Sequence, residues 1–314
     1  LFLFLLSWLL LVSGRDAQAF WIWTPETNKW TNPKFTVKET PQEQLDYAQE
    51  YYDSKQYKKA IGEFQKLIKQ YPKAREAAEA QYFIGRCQED QGLVVHAFKA
   101  YQTAIEKYPF SERAGEIIKR QYDIGMLLME GKIRRNKMMR AVGAGNYDVI
   151  DVFRKVIKNA PYGQYAAPAQ YKIGLYLQEK GLYQEARDEF EKTVNDYPDS
   201  EWAKAARYQI ALSDSKRSSD AAYDQKVTES AIHEFKAFLK DYPDAELSGK
   251  ARDEIQQLKE KEAENNFLVA QYYEKRKQYS SAKIYYTTIV EDYRNTSWSA
   301  KALERLQQIN RINP

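Results

Sequence analysis

Side-chain chemistry needs a nucleophile, a base or a metal-ligand set at workable spacing, and this chain offers few of them. It has two histidines, His96 and His233, and one cysteine, Cys87. Neither histidine stands at a metal-ligand spacing or beside a nucleophile it could activate. Both read as surface or groove-lining residues. Cys87 reads as a small helix residue, with a reactive thiol as the alternative, and a lone thiol builds no internal disulfide. Neither the G-x-G-x-x-G dinucleotide fingerprint nor the G-x-x-x-x-G-K-[ST] phosphate loop occurs. Carboxylates are plentiful but lie beside Lys and Arg, as exposed helix faces require. The residues therefore predict no enzyme, no cofactor and no metal site.

What the chain has in abundance is aromatic rings, with 25 Tyr among 314 residues, and these fall into a repeat. Tyr-Pro recurs at Tyr71-Pro72, Tyr108-Pro109, Tyr197-Pro198 and Tyr242-Pro243, with Ala160-Pro161 as a variant. Pro72 to Pro109 and Pro161 to Pro198 are the same 37 residues apart. Each proline follows an amphipathic stretch such as AIGEFQKLIKQYP, apolar at i, i+3, i+4 and i+7. That period is helical, and the proline ring stops the hydrogen-bond ladder.

Setting each proline at position 32 of a roughly 34-residue repeat aligns six copies, the first helix of the third and fifth only with insertions allowed between the two helices. Position 8 is Ala48, Gly85, Gly125, Gly174, Ala211 and Ala270; position 20 is Ala60, Ala97, Val149, Ala186, Ala231 and Ala282. Position 24 is Phe64, Tyr101, Phe153, Phe190, Phe235 and Tyr286, and position 32 is Pro72, Pro109, Pro161, Pro198 and Pro243, with Arg294 in the sixth copy. Small residues where helices A and B cross, with an aromatic beside the crossing, resemble the tetratricopeptide repeat. One hairpin cannot bury its apolar face alone, so neighbours stack. The expected fold is an all-α tetratricopeptide-repeat superhelical solenoid of about six helical hairpins plus a C-terminal capping helix.

The resemblance also implies a binding surface, the concave groove of successive A helices. Position 5, which faces that groove in the family, is Leu45, Tyr82, Tyr122, Tyr171, Tyr208 and Phe267; position 9 in the early repeats is Gln49, Arg86 and Met126. Rings interleaved with polar groups suit an extended or helical peptide. The competing reading is that these rings pack between adjacent A helices.

The remaining segments divide the chain further. Residues 1–19 open with the apolar run LFLFLLSWLLLV and reach Ala17-Gln18-Ala19, the pattern of a signal peptide. Twelve helical residues rise only about 18 Å, short of a bilayer core. Residues 20–40 form an aromatic extension with Phe20, Trp21, Trp23 and Trp30, placed either over the first repeat or at a membrane interface. Repeats one to four occupy 41–200, with a basic insert at 131–146 carrying Lys132, Arg134, Arg135, Lys137 and Arg140 beside Met138 and Met139. Residues 201–314 hold repeats five and six, a polar stretch Ser213 to Asp224 expected as a loop, a long linking helix over 245–264 and the capping helix. A net charge of +4, with both signs interspersed, leaves no nucleic-acid footprint.

Two longer phrases narrow the resemblance. HEFKAFLKDYPDAELSGKARDEI (233–255) and AENNFLVAQYYEKRKQYSSAKIYYTTIVEDYRNTSWSAKALERL (263–306) are similar to the BamD (YfiO) family of outer-membrane assembly factors. LDYAQEYYDSKQYKKAIGEFQKLIKQYP (45–72) resembles that family's first repeat. The resemblance implies a non-enzymatic periplasmic scaffold at the inner face of the outer membrane. Its implied partners are subunits of the β-barrel assembly machinery and unfolded outer-membrane proteins. Two differences stand out: A-Q-A followed by Phe20 where the family's usual member has an acylated cysteine, and six repeats where it usually has five. A Tol-Pal-associated adaptor similar to CpoB is the alternative, although residues 20–40 are short and Pro-containing for its coiled-coil segment.

Overall fold

The computed structural model describes residues 22–24, 29–31, 36–131, 148–220 and 225–312. The chain forms two compact bodies, Leu1–Ala114 and Gly115–Pro314.

In the N-terminal body, β1 (Ile22–Thr24) and β2 (Lys29–Thr31) pair antiparallel, with Trp23 opposite Trp30. This hairpin lies in the aromatic extension ahead of the repeats. Four helices follow: α1 (Pro41–Asp53), α2 (Tyr57–Gln70), α3 (Arg75–Asp90) and α4 (Val94–Lys107). The entry to α1 is written in its sequence. The Thr40 side chain accepts from Glu43 N–H at 3.2 Å, and Pro41 takes the first turn, where its missing N–H costs nothing. Tyr71, the first Tyr of the Tyr-Pro series, donates its hydroxyl to the Lys38 and Glu39 carbonyls at 2.9 Å each, tying the approach segment to the end of α2.

The C-terminal body carries α5 (Ala114–Met129) from its second residue, α6 (Val149–Asn159), α7 (Ala166–Glu179), α8 (Tyr183–Asp196), α9 (Glu201–Asp220), α10 (Gln225–Asp241), α11 (Ser248–Lys275), α12 (Tyr279–Asp292) and α13 (Ser297–Ile312). Among the described residues the chain makes six hairpins and one final helix, which packs on α12 and α11. Both bodies belong to the all-α tetratricopeptide solenoid class. The polar stretch is helical from Ser213 as far as Asp220, the end of α9, and residues 221–224 lie outside the described residues. Its polarity failed to mark a loop because Ser213, Asp214 and Ser218 are buried and find partners on neighbouring helices.

Every B helix ends the same way. Tyr71, Tyr108, Tyr197 and Tyr293 sit at the C-cap in a non-helical conformation and still donate N–H four residues back into their own helix. The residue before a proline is driven out of the helical region. Yet Tyr293 precedes Arg294 and keeps the same turn, closed by Thr296 N–H to Tyr293 O at 3.0 Å, as Ala74 N–H closes on Tyr71 O at 3.0 Å. The proline reinforces this turn without being required for it.

The hairpin crossing fixes the core. Ala48, Ala60, Ala97, Ala186, Ala211, Ala231, Ala270 and Ala282 have no exposed surface, and neither do Phe64, Tyr101, Phe153, Phe190, Phe235 and Tyr286. The position-24 ring lies directly over position 8 of its partner helix. A Cβ on Gly174 would stand 2.5 Å from Phe190 Cε1, one on Gly125 2.7 Å from Phe153 Cε1, and one on Gly85 closer still to Tyr101. Pro72, Pro109, Pro198 and Pro243 lie exposed at the turns.

Gly174→Ala is therefore expected to lower stability by about 1–3 kcal/mol through overpacking. Gly62→Ala, mid-helix with nothing within 4 Å of a new Cβ, should raise it by about 0.5–1 kcal/mol. Thermal and urea melts of the two variants check both signs.

Candidate protein-binding site

The position-5 side chains are placed by the same crossing. Leu45, Tyr82, Tyr171, Tyr208 and Phe267 are all buried, and only Tyr122 is half-buried. Each ring leans on the position-24 ring of its own hairpin: Tyr82–Tyr101 at 6.1 Å between centroids, Tyr122–Phe153 at 5.6 Å, Tyr171–Phe190 at 5.4 Å, Tyr208–Phe235 at 5.7 Å and Phe267–Tyr286 at 5.3 Å. Most also meet a side chain at the entry of the next A helix. Tyr122 meets Tyr165 at 5.2 Å, Tyr171 meets Trp202 at 5.3 Å, Phe267 meets Trp298 at 5.0 Å, and the Arg113 guanidinium sits 5.1 Å over Tyr82.

This corrects the expectation of an open aromatic groove. The rings join one hairpin to the next, and their faces are used in packing. Position 9 stays nearer the surface: Gln49, Arg86 and Met126 are half-buried. Arg86 donates to the Tyr82 hydroxyl at 3.0 Å and lies 6.0 Å over the Tyr52 ring.

What the A-helix side of the N-terminal body presents to solvent is charge. A cavity of about 590 Å³ is walled by Gln42 and Leu45 of α1, by Arg75, Glu76 and Glu79 of α3, and by Glu112 and Arg113. Arg113 grips Glu79 with a fork, Nη2 to Oε1 at 2.7 Å and Nε to both oxygens at 3.1 Å. Arg75 and Glu112 pair at 2.7 Å with both side chains more than three-quarters exposed. Such a wall offers donors and acceptors to a peptide main chain and exchanges its own ion pairs at little cost.

The other singled-out residues stand as follows. His96 is half-buried on α4 and His233 exposed on α10. Among the described residues no group of three or more His, Cys, Asp or Glu is placed to hold a metal. Cys87 is fully buried, and burial pushes its thiol up to about 12, so it carries no thiolate at neutral pH. Trp23 and Trp30 pack edge to face at 5.7 Å, with 42% and 62% of their surfaces exposed. Phe20, Trp21 and residues 1–19 lie outside the described residues, as do Lys132, Arg134, Arg135, Lys137, Met138, Met139 and Arg140 of the insert.

Three polar devices escaped sequence reasoning. Position 4 stitches helix A to the main chain of helix B: Gln44, Gln81 and Gln170 donate Nε2 to the carbonyls of Glu63, Ala100 and Glu189 at 3.1–3.2 Å. Where position 24 is Tyr rather than Phe, position 12 is Glu: Tyr101 donates to Glu89 at 2.5 Å and Tyr286 to Glu274 at 2.9 Å. A buried phenol needs an acceptor, and that pairing could have been read by comparing the six copies. The third is Glu262, 3% exposed on α11, with Oε1 unpartnered. Burial, with Glu229 adding to it, raises its carboxyl against the opposing influence of Tyr293, Lys236 and Lys259.

A chain of helical hairpins crossing at small residues, with rings joining neighbours, is a tetratricopeptide-repeat protein, and the tetratricopeptide family matches residues 45–112. The match over residues 150–313 is narrower: the chain belongs to YfiO, the outer membrane lipoprotein family. These are non-enzymatic scaffold families, which places the protein among envelope adaptors. No curated protein matches the chain. Solved structures similar to it include the C-terminal part of a TPR repeat-containing protein from Cytophaga hutchinsonii, at 16% identity over 84% of this chain and 88% of that one, with TM-score 0.38. A tetratricopeptide repeat protein from Parabacteroides merdae covers 87% of this chain and 99% of its own at 13% identity and TM-score 0.35. A thermophilic TPR protein from Thermus thermophilus covers 69% and 99% at 18% identity and TM-score 0.32. No helix among the described residues is long and apolar enough to cross a membrane.

Two outcomes follow. Tyr82→Ala, which opens a hole beside Tyr101 and Phe83, should lower stability by about 3–5 kcal/mol, read from a urea melt. Glu262→Gln should raise the melting temperature at pH 7. A raised carboxyl binds its proton more tightly folded than unfolded, so its charge destabilises the fold above the raised value. The difference between wild type and variant should shrink as pH falls to and below about 4, the ordinary carboxylate range.

Proposed function

We propose that the protein is a periplasmic scaffold of outer-membrane β-barrel protein assembly, held at the inner face of the outer membrane. In this reading the C-terminal repeats dock a barrel-inserting subunit, and the A-helix side of the N-terminal repeats handles unfolded client segments. The observation that carries it is the YfiO family match across 150–313, spanning α6 to α13. The polar A-helix wall around Arg75, Glu79, Glu112 and Arg113 supports the client half. It offers hydrogen bonds and charges to any extended backbone and no deep apolar pocket that would select one side chain.

Tagged protein pulled from envelope extract should bring down a barrel-insertion subunit. Recovery of Tol-Pal components in its place would establish the CpoB-like alternative and overturn this reading. For the client half, Arg75→Ala removes an exposed cation, so its melt should move by no more than about 0.5 kcal/mol. Its affinity for an unfolded outer-membrane barrel segment, measured by fluorescence anisotropy, should fall severalfold. An unchanged affinity would remove the A-helix wall from the account.

A further inference from the structure

A second groove lies on the B-helix side of the N-terminal body, where α2, α3 and α4 meet. It encloses about 400 Å³ and is lined by Ile68 and Lys69 of α2, Ile84 and Gln88 of α3, and His96 and Lys99 of α4, among others. No lining residue is acidic. Two atoms of lining residues, Gln88 Oε1 and His96 Nδ1, are buried and make no hydrogen bond.

The C-terminal body contains the same groove in the same register, where α8, α9 and α10 meet, enclosing about 370 Å³. Val194 stands where Ile68 stands, and Ile210 where Ile84 stands. The charge is different. Glu191 replaces Gln65 and Glu234 replaces Ala100, with Arg207 the single cation. The repeat therefore generates the cavity, and the sequence of each junction sets its sign.

We infer that the groove of α2, α3 and α4 docks an acidic segment of a partner protein, at a site separate from the A-helix wall. Lys69 and Lys99 meet its carboxylates. Ile68 and Ile84 receive the apolar side chains between the acids. The inference does not depend on barrel assembly being the protein's role, because it is tested on purified protein alone.

The test uses the whole chain and a fluorescein-labelled peptide of glutamates, glycines and leucines, with a counterpart carrying lysine for every glutamate. Anisotropy should show the acidic peptide bound and the basic one not. Lys69→Glu with Lys99→Glu should weaken binding about tenfold, whereas Glu191→Lys in the other groove should leave it unchanged. Equal binding by the double variant, or equal binding of both peptides, overturns the inference. So does binding to phosphatidylglycerol vesicles through Lys69 and Lys99 with the acidic peptide ignored. Should the double variant fail to fold, Lys69→Glu alone, at an exposed position, must weaken binding about threefold or the inference falls.

Discussion

One contact is repeated until it becomes a fold: an aromatic ring on helix B laid over a residue with little or no side chain on helix A. Gly85 under Tyr101, Gly125 under Phe153 and Gly174 under Phe190 leave no room for even a methyl group. Three other copies use alanine at that place, so the helices there cross with a methyl between them and their ring. Because the ring is buried on all sides, the crossing has one solution, and the hairpin geometry it sets is passed to the next hairpin. The position-5 rings do the passing. Tyr171 lies between Phe190 and Trp202, and Phe267 lies between Tyr286 and Trp298. Within each body the surface groups are carried on hairpins joined by buried rings.

This division of labour accounts for where recognition can occur. The rings at positions 5 and 24 hold the hairpins, and the two grooves of the N-terminal body are lined largely by charged and amide side chains. Both grooves of the N-terminal body are built on that plan. On the A side, Arg75, Arg113, Glu79 and Glu112 mix both signs. On the B side, Lys69, His96 and Lys99 line the groove. Polar groups also run inside the C-terminal body, where Arg187 meets the buried Asp214 at 3.2 Å and Lys261 caps the Ser218 carbonyl at 2.6 Å. These bonds let α9 keep its helix through residues that otherwise favour a turn.

The repeat was legible in the sequence because small residues, rings and prolines recur at fixed offsets, and each offset has a steric cause. The family was legible for a related reason, since the last repeat's phrase is long and specific. The binding surface was not. A tyrosine at a groove-facing position reads identically whether its face meets a peptide or Trp202, and only the neighbouring hairpin decides. The helix through Ser213–Asp220 was missed because polarity signals a loop only when the polar groups find water, whereas here they find Gln178, Arg187 and Lys261. The Tyr–Glu pairing at positions 24 and 12 was within reach of the sequence, but it is visible only when two columns are read together.

A double-mutant cycle at the crossing tests the central claim most directly. Gly174→Ala, Phe190→Leu and their combination would be melted in urea under one set of conditions. If the ring over the glycine sets the hairpin, shrinking the ring makes room for the methyl group. The double variant should then be more stable than the two single losses sum to, by about 1 kcal/mol or more. Strictly additive losses would mean that glycine and ring act independently, and the crossing could not be what builds the array.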